Sequence, residues 1–220
     1  MHISDFEFHF LFFDDEGDLL ANFYKIVNSI SPDTMDIWNI EFDIPKIYNR
    51  MIINGMDPVQ VMSHPKFPKE ARYLEMNIDR RGFVTFSNRK TNIKSSNMFL
   101  YIDQMLLYAG MTKGSKSVPD YSLDTILGIE LGFGKRKFKD GATIKDIHMK
   151  NYKEFVLYSI TDTIAQEFLD NYTSHTTTAF MDTQTAGCPL EYTTKPTMYT
   201  RNYYHLSKLK NFNMIPGNNP

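Results

Sequence analysis

The chain has 220 residues, 42% of them hydrophobic and 14% aromatic, enough to bury the core of one large domain or of one domain with an appendage. A formal net charge of −2 and a pI of about 6.3 exclude a generally basic nucleic-acid coat and leave room for a local DNA site. The single cysteine, Cys188, excludes an internal disulfide framework and fits a reducing compartment, and no apolar run is long enough to span a membrane.

Residues 8–13 are apolar except for His9 and read as a buried strand that starts near Glu7. Asp14, Asp15, Glu16 and Asp18 break that run and suit the start of a helix, where the dipole favours negative charge. Leu19, Leu20, Phe23, Tyr24, Val27 and Ile30 give its apolar stripe, and Ser31-Pro32-Asp33 ends it. Residues 35–42 have strand character. Pro45 then fits the first turn of a second helix, whose face is Ile44, Ile47, Tyr48 and Met51. Asp43 therefore falls at a strand-to-helix junction, as an N-cap or as a reactive carboxylate.

Residues 56–68 read as a loop, and 71–79 with 82–87 as a hairpin turning at Arg80-Arg81-Gly82. Residues 88–96 are polar and basic, a solvated loop or a contact to phosphate. Residues 98–102 are a strand leading to Asp103, a helix cap or a metal ligand, with a helix from Met105. Ser122 opens another helix. Residues 132–141 are a glycine-flanked basic turn with four Lys or Arg between 135 and 139. Such a turn is a solvated face or a phosphate contact. Residues 151–171 form a long amphipathic helix with the stripe Phe155, Val156, Ile160, Ile164 and Phe168; Tyr158 and Asp162, four apart, share another face. Residues 201–209 look helical.

Three landmarks in this order have a family likeness. Trp38-Asn39-Ile40-Glu41-Phe42-Asp43-Ile44-Pro45, closing with Asn49-Arg50, resembles the second exonuclease motif of family B DNA polymerases. Tyr158-Ser159-Ile160-Thr161-Asp162 resembles the third, Tyr-x-x-x-Asp, 119 residues later (162 − 43). Tyr121 to Leu127, followed by Gly134-Lys135-Arg136-Lys137-Phe138, resembles the segment before the third motif in polymerases of the T-even bacteriophage type.

The resemblance implies an α/β, ribonuclease-H-like exonuclease domain over residues 1–174, an incomplete mixed sheet with flanking helices. Residues 175–220 are then a helical connection toward a polymerase core. It implies hydrolysis of 3′-terminal nucleotides with two magnesium or manganese ions held by carboxylates. Carried over, Asp43 and Asp162 are the metal ligands and Tyr158 orients the attacking water. Asn39 and Phe42 shape the pocket for the frayed single-stranded 3′ end, and Lys135, Arg136 and Lys137 contact DNA. The implied setting is a phage-encoded protein in the bacterial cytoplasm.

Two departures from the family pattern stand out. Only Glu41 separates Ile40 from Phe42-Asp43, where the family has two residues, so Glu41 is a candidate to share the role of Asp43. Asp5-Phe6-Glu7 has the form of the first motif, but Asp43 follows only 38 positions later (43 − 5), too few for the family's intervening strands. The expectation is therefore a piece of a split polymerase whose other chains supply the first motif and the palm. The alternatives are a non-catalytic fragment that binds DNA or docks to other subunits, and a free-standing nuclease using Asp5, Glu7, Asp43 and Asp162.

Overall fold

A computed structural model describes residues 7–79, 85–115, 117–135, 144–189 and 196–212. The chain is α/β, with short strands and many helices, and divides into two units. The larger contains residues 9–113 and 179–220; the smaller contains residues 114–178 and 1–8.

In the larger unit α1 (Glu16–Ile30) starts where the Asp15 carboxylate accepts the Asp18 N–H at 3.0 Å, with Glu16 and Asp18 in the first turn. It stops at Ser31, whose left-handed φ of 50° ends the ladder. Leu20, Tyr24 and Asn28 are its buried positions, one turn apart. The expected stripe is thus half right: Leu20 and Tyr24 are inside, whereas Leu19, Phe23 and Ile30 lie exposed.

β1 (Thr34–Ile37) runs parallel to β4 (Leu100–Asp103), in register from Thr34 opposite Leu100 to Ile37 opposite Asp103. Each strand feeds a helix at its carboxyl end: β1 leads to α2 (Ile40–Ile53), and β4 to α4 (Gln104–Met111). The core gathers Tyr24, Ile40, Ile44, Met51, Met62, Ile93, Phe99 and Tyr101. Met62 ends a short helix, α3 (Pro58–Met62), capped by Asp57 inside the stretch expected to be loop.

Three expectations about strands change. Residues 8–13 form no strand, and Phe10, Leu11 and Phe12 are exposed. An apolar run makes a strand only where it joins a ladder, and this one belongs to neither described sheet. β2 (Leu74–Asn77) pairs antiparallel with β3 (Asn92–Ser95), Leu74 opposite Ser95. The return strand of that hairpin is therefore the polar stretch read as a loop; the turn at 80–82 lies outside the described residues. β1 is also shorter than expected, and α2 begins at Ile40, so Pro45 lies inside the helix rather than in its first turn.

In the smaller unit α5 (Leu123–Leu131) starts at Ser122, whose Oγ accepts the Thr125 N–H, and ends at Gly132 with φ 75°. α6 (Ile144–Lys150) packs on α7 (Tyr152–Thr173), with the His148 ring edge-on to Phe155 at 5.0 Å. Asn151 caps α7, and Ala165 and Leu169 are its buried positions. The expected stripe, at Phe155, Val156, Ile160, Ile164 and Phe168, is only half-buried. Further along the chain come α8 (His175–Ala186) and, in the larger unit, α9 (Pro196–Phe212), which extends past both ends of the expected 201–209 helix. Among the described residues no helix is long and apolar enough to cross a membrane.

Candidate functional site

In the larger unit the second-motif residues gather at the carboxyl ends of the two parallel strands, where open α/β sheets commonly bind ligands. Asp103 organises this end. Its Oδ1 accepts the Leu106 N–H at 2.9 Å, capping α4, and its Oδ2 accepts the Ile40 N–H at 3.1 Å, at the start of α2. The Met105 N–H adds a bond to the Trp38 carbonyl at 3.1 Å. One buried carboxylate thus holds the first turns of two helices. Burial pushes that carboxyl up to about 7, although the backbone donors oppose the shift.

Asn39 is the cap residue of α2 with its side chain making no cap bond; its Oδ1 is buried without a partner, and its carbonyl accepts from the Phe42 and Asp43 N–H groups. Asp43 itself sits in the first turn of α2, one turn later than the N-cap position expected of it. Burial raises its carboxyl above the usual range, against the pull of the Lys46 ammonium. Phe42 is 57% exposed, with the Lys46 Nζ 3.1 Å from its ring centroid. Glu41 points to Arg89, pairing at 3.3 Å with the basic stretch that forms β3.

In the smaller unit Tyr158 and Asp162 share a face of α7, and the side chain that meets them is Lys135. Its Nζ lies 2.6 Å from Asp162 Oδ2 and 5.7 Å from the Tyr158 ring centroid. Burial would lower the Lys135 ammonium, but the Asp162 carboxylate outweighs it and leaves it raised. Burial also raises the Tyr158 phenol, with Lys135 opposing and Asp162 reinforcing. The other oxygen, Asp162 Oδ1, is buried with no partner. The approach of Lys135 is set by a tight turn: its backbone N–H reaches Asp124 Oδ1 at 2.5 Å, and a Cβ on Gly134 would lie 2.5 Å from that same oxygen. Glycine permits this close approach.

The expected site residues thus fall into two local groups, Asn39-Phe42-Asp43 and Lys135-Tyr158-Asp162. Arg136, Lys137 and Asp5 lie outside the described residues, and Glu7 is exposed coil. Sequence reasoning missed the ion pairs Lys135–Asp162 and Arg89–Glu41, because each joins residues far apart in the chain. From the sequence Lys135 reads as a DNA contact, and its place in a glycine-flanked turn is the signal for a closer approach. The unpartnered Asp162 Oδ1 suits a single ligand of a hard cation, but among the described residues no three potential metal ligands converge.

Comparison with known proteins agrees with the motifs. Residues 3–126 match the family model for the DNA polymerase family B exonuclease domain. The chain is also 30% identical over 152 residues to the DNA-directed DNA polymerase of Escherichia phage RB69. That alignment covers 68% of this chain and 15% of the polymerase, so the chain corresponds to a small part of its relative's length. With more than half of its residues under the family model and a phage polymerase as a relative, the chain belongs to the exonuclease-domain family of the family B DNA polymerases.

Proposed function

We propose that this chain is part of the proofreading 3′–5′ exonuclease region of a phage replicative polymerase, folded as a portion of a ribonuclease-H-like domain. Its substrate is the single-stranded 3′ end of DNA, and its setting is the bacterial cytoplasm. The observation that carries the reading is on α7: Asp162 keeps one buried carboxylate oxygen without a partner, one turn after Tyr158. In this reading Asp43 and Asp162 are the carboxylates and Tyr158 the phenol donor. Asn39, Phe42, Lys135, Arg136 and Lys137 contact the strand. In the split-polymerase reading, other chains supply the remaining carboxylates.

A second reading is a non-catalytic piece that binds DNA or docks to polymerase subunits. The ammonium of Lys135 favours it, since that cation already neutralises Asp162. The two are separated by degradation of a 3′-labelled single-stranded oligonucleotide with magnesium or manganese, comparing the chain with Asp162→Ala. Degradation by the chain and its loss in the variant support the exonuclease. Absence of degradation from both, persisting when a polypeptide carrying an Asp-x-Glu first motif is added, overturns it.

A further inference from the structure

In the larger unit α1 is apolar on two faces. Leu20, Tyr24 and Asn28 are its buried positions, whereas Leu19, Phe23, Ile26 and Ile30 stay between 38% and 70% exposed. Spacings of four, three and four residues put these four in one straight stripe beside the buried face. An apolar repeat of that spacing is the seam by which one helix packs on another. The first end of the stripe is acidic. Asp14, Asp15 and Asp18 are exposed around the start of the helix, where Arg50 already pairs with Glu16.

The chemistry of α9 is the converse. Residues 196–212 hold Arg201, Lys208 and Lys210 and no acid. Over residues 201–212, the described side chains of this helix, none is buried. Helices in proteins draw most of their stability from packing one face. Leu206 packs against Gly187. Tyr204, Lys208 and Phe212, at spacings of four, form a ridge on the other side, since Leu206 is two positions from both Tyr204 and Lys208. The Lys208 Nζ lies 5.3 Å and 4.7 Å from the two ring centroids, so the ridge presents two exposed rings with a cation between them.

We propose that α1 of one copy packs antiparallel against α9 of a second copy, so that the chain associates with itself through two different helices. The apolar stripe of α1 takes the aromatic ridge of α9. The antiparallel direction sets Lys208 and Lys210, near the end of α9, beside Asp14, Asp15 and Asp18 at the start of α1. Two α1 helices side by side in parallel would bring their acids together, and antiparallel they would set those acids against Ser29 and Ser31. Two α9 helices would bring cations together. Charge complementarity therefore selects the mixed pair, a heterologous contact. A single helix pair is small beside the roughly 1,200 Å² or more buried in stable complexes, so the association is weak and sensitive to salt. The contact uses none of Asn39, Asp43, Tyr158 and Asp162, and it stands apart from the exonuclease reading.

The test is sedimentation equilibrium of the full chain at low salt, from about 1 to 300 μM. The weight-average mass is expected to rise above the monomer's 25.7 kDa and to fall back toward it in about 0.5 M sodium chloride. The double variant Lys208→Glu, Lys210→Glu alters α9, and Asp14→Lys, Asp18→Lys alters α1. Each is expected to weaken association by about tenfold or more. Mixing the two is expected to restore it, because an acidic α9 then meets a basic α1, and that recovery also shows both variants to be folded. The seam variant Leu19→Gln, Ile30→Gln is expected to stay monomeric while keeping the unfolding midpoint of the parent, since both positions are exposed. The proposal is overturned if the parent stays monomeric throughout, if either charge variant associates as the parent does, or if the mixture stays monomeric. Association lost in the seam variant and kept in the α9 variant would assign the stripe to a second α1 and overturn it equally.

Discussion

Lys135 and Asp162, 27 positions apart, meet at 2.6 Å in the smaller unit, each side chain about three-quarters shielded from solvent. The pair ties the basic turn after α5 to the face of α7 that carries the third motif. It stabilises only while both partners are present, because a shielded carboxylate with no counter-charge keeps the cost of its lost hydration.

Lys135→Met therefore destabilises the smaller unit by about 1–3 kcal/mol, the usual range for a charge-assisted hydrogen bond. Asp162→Asn costs less, since it removes the stranded charge along with the bond. Urea denaturation of the two single variants and the double variant closes a cycle, and a coupling near zero would show that the pair carries no weight.

Gly134→Ala drives the new Cβ against Asp124 Oδ1 and breaks the 2.5 Å bond from the Lys135 N–H. The expected loss is about 1–2 kcal/mol, with faster amide exchange at Lys135. Unchanged exchange would mean that the turn shifts without releasing Asp124.

Stability depends on pH through Asp103. The folded chain holds this carboxyl at about 7 against an ordinary 3.8, so it binds the proton more tightly than the unfolded chain does. The stabilisation is fully present below about pH 4 and is lost as pH rises through about 7, a span worth roughly 4 kcal/mol. Asp43, also raised by burial, acts in the same direction. Glu16, lowered to about 2 by its bonds to Arg50 and Asn54, acts in the opposite direction, but only below its ordinary 4.5. Unfolding free energy is expected to fall between pH 5 and 8, with a smaller slope in Asp103→Asn. An equal slope in the variant would place the titrating group elsewhere.

Ile44 has no exposed surface and is one turn from Ile40, both in the core beneath α2. Ile44→Ala opens a cavity there, and about 2–5 kcal/mol of stability should be lost. Thermal unfolding measures this, and a loss under about 1 kcal/mol would mean that the site collapses around the smaller side chain.

What the sequence determined by itself was local. The Asp15 and Ser122 caps and the long helix through Tyr158 and Asp162 follow from side chains acting within a few residues of themselves, and the motif order carried the family. Tertiary structure decided what depended on partners distant in the chain. Residues 8–13 read as a strand and join neither sheet among the described residues, while the polar residues 92–95 become a strand because Leu74–Asn77 lies alongside. Asp43 lies a turn inside α2 rather than at its cap, where the Asp103 carboxylate, 63 residues from Ile40, holds the Ile40 N–H. Lys135 is likewise an ion-pair partner of Asp162 because the turn at Gly134 brings it there. Caps and helical period are short-range, so composition and spacing reveal them. Strand pairing, burial and charge pairing are settled by which segments the fold brings together.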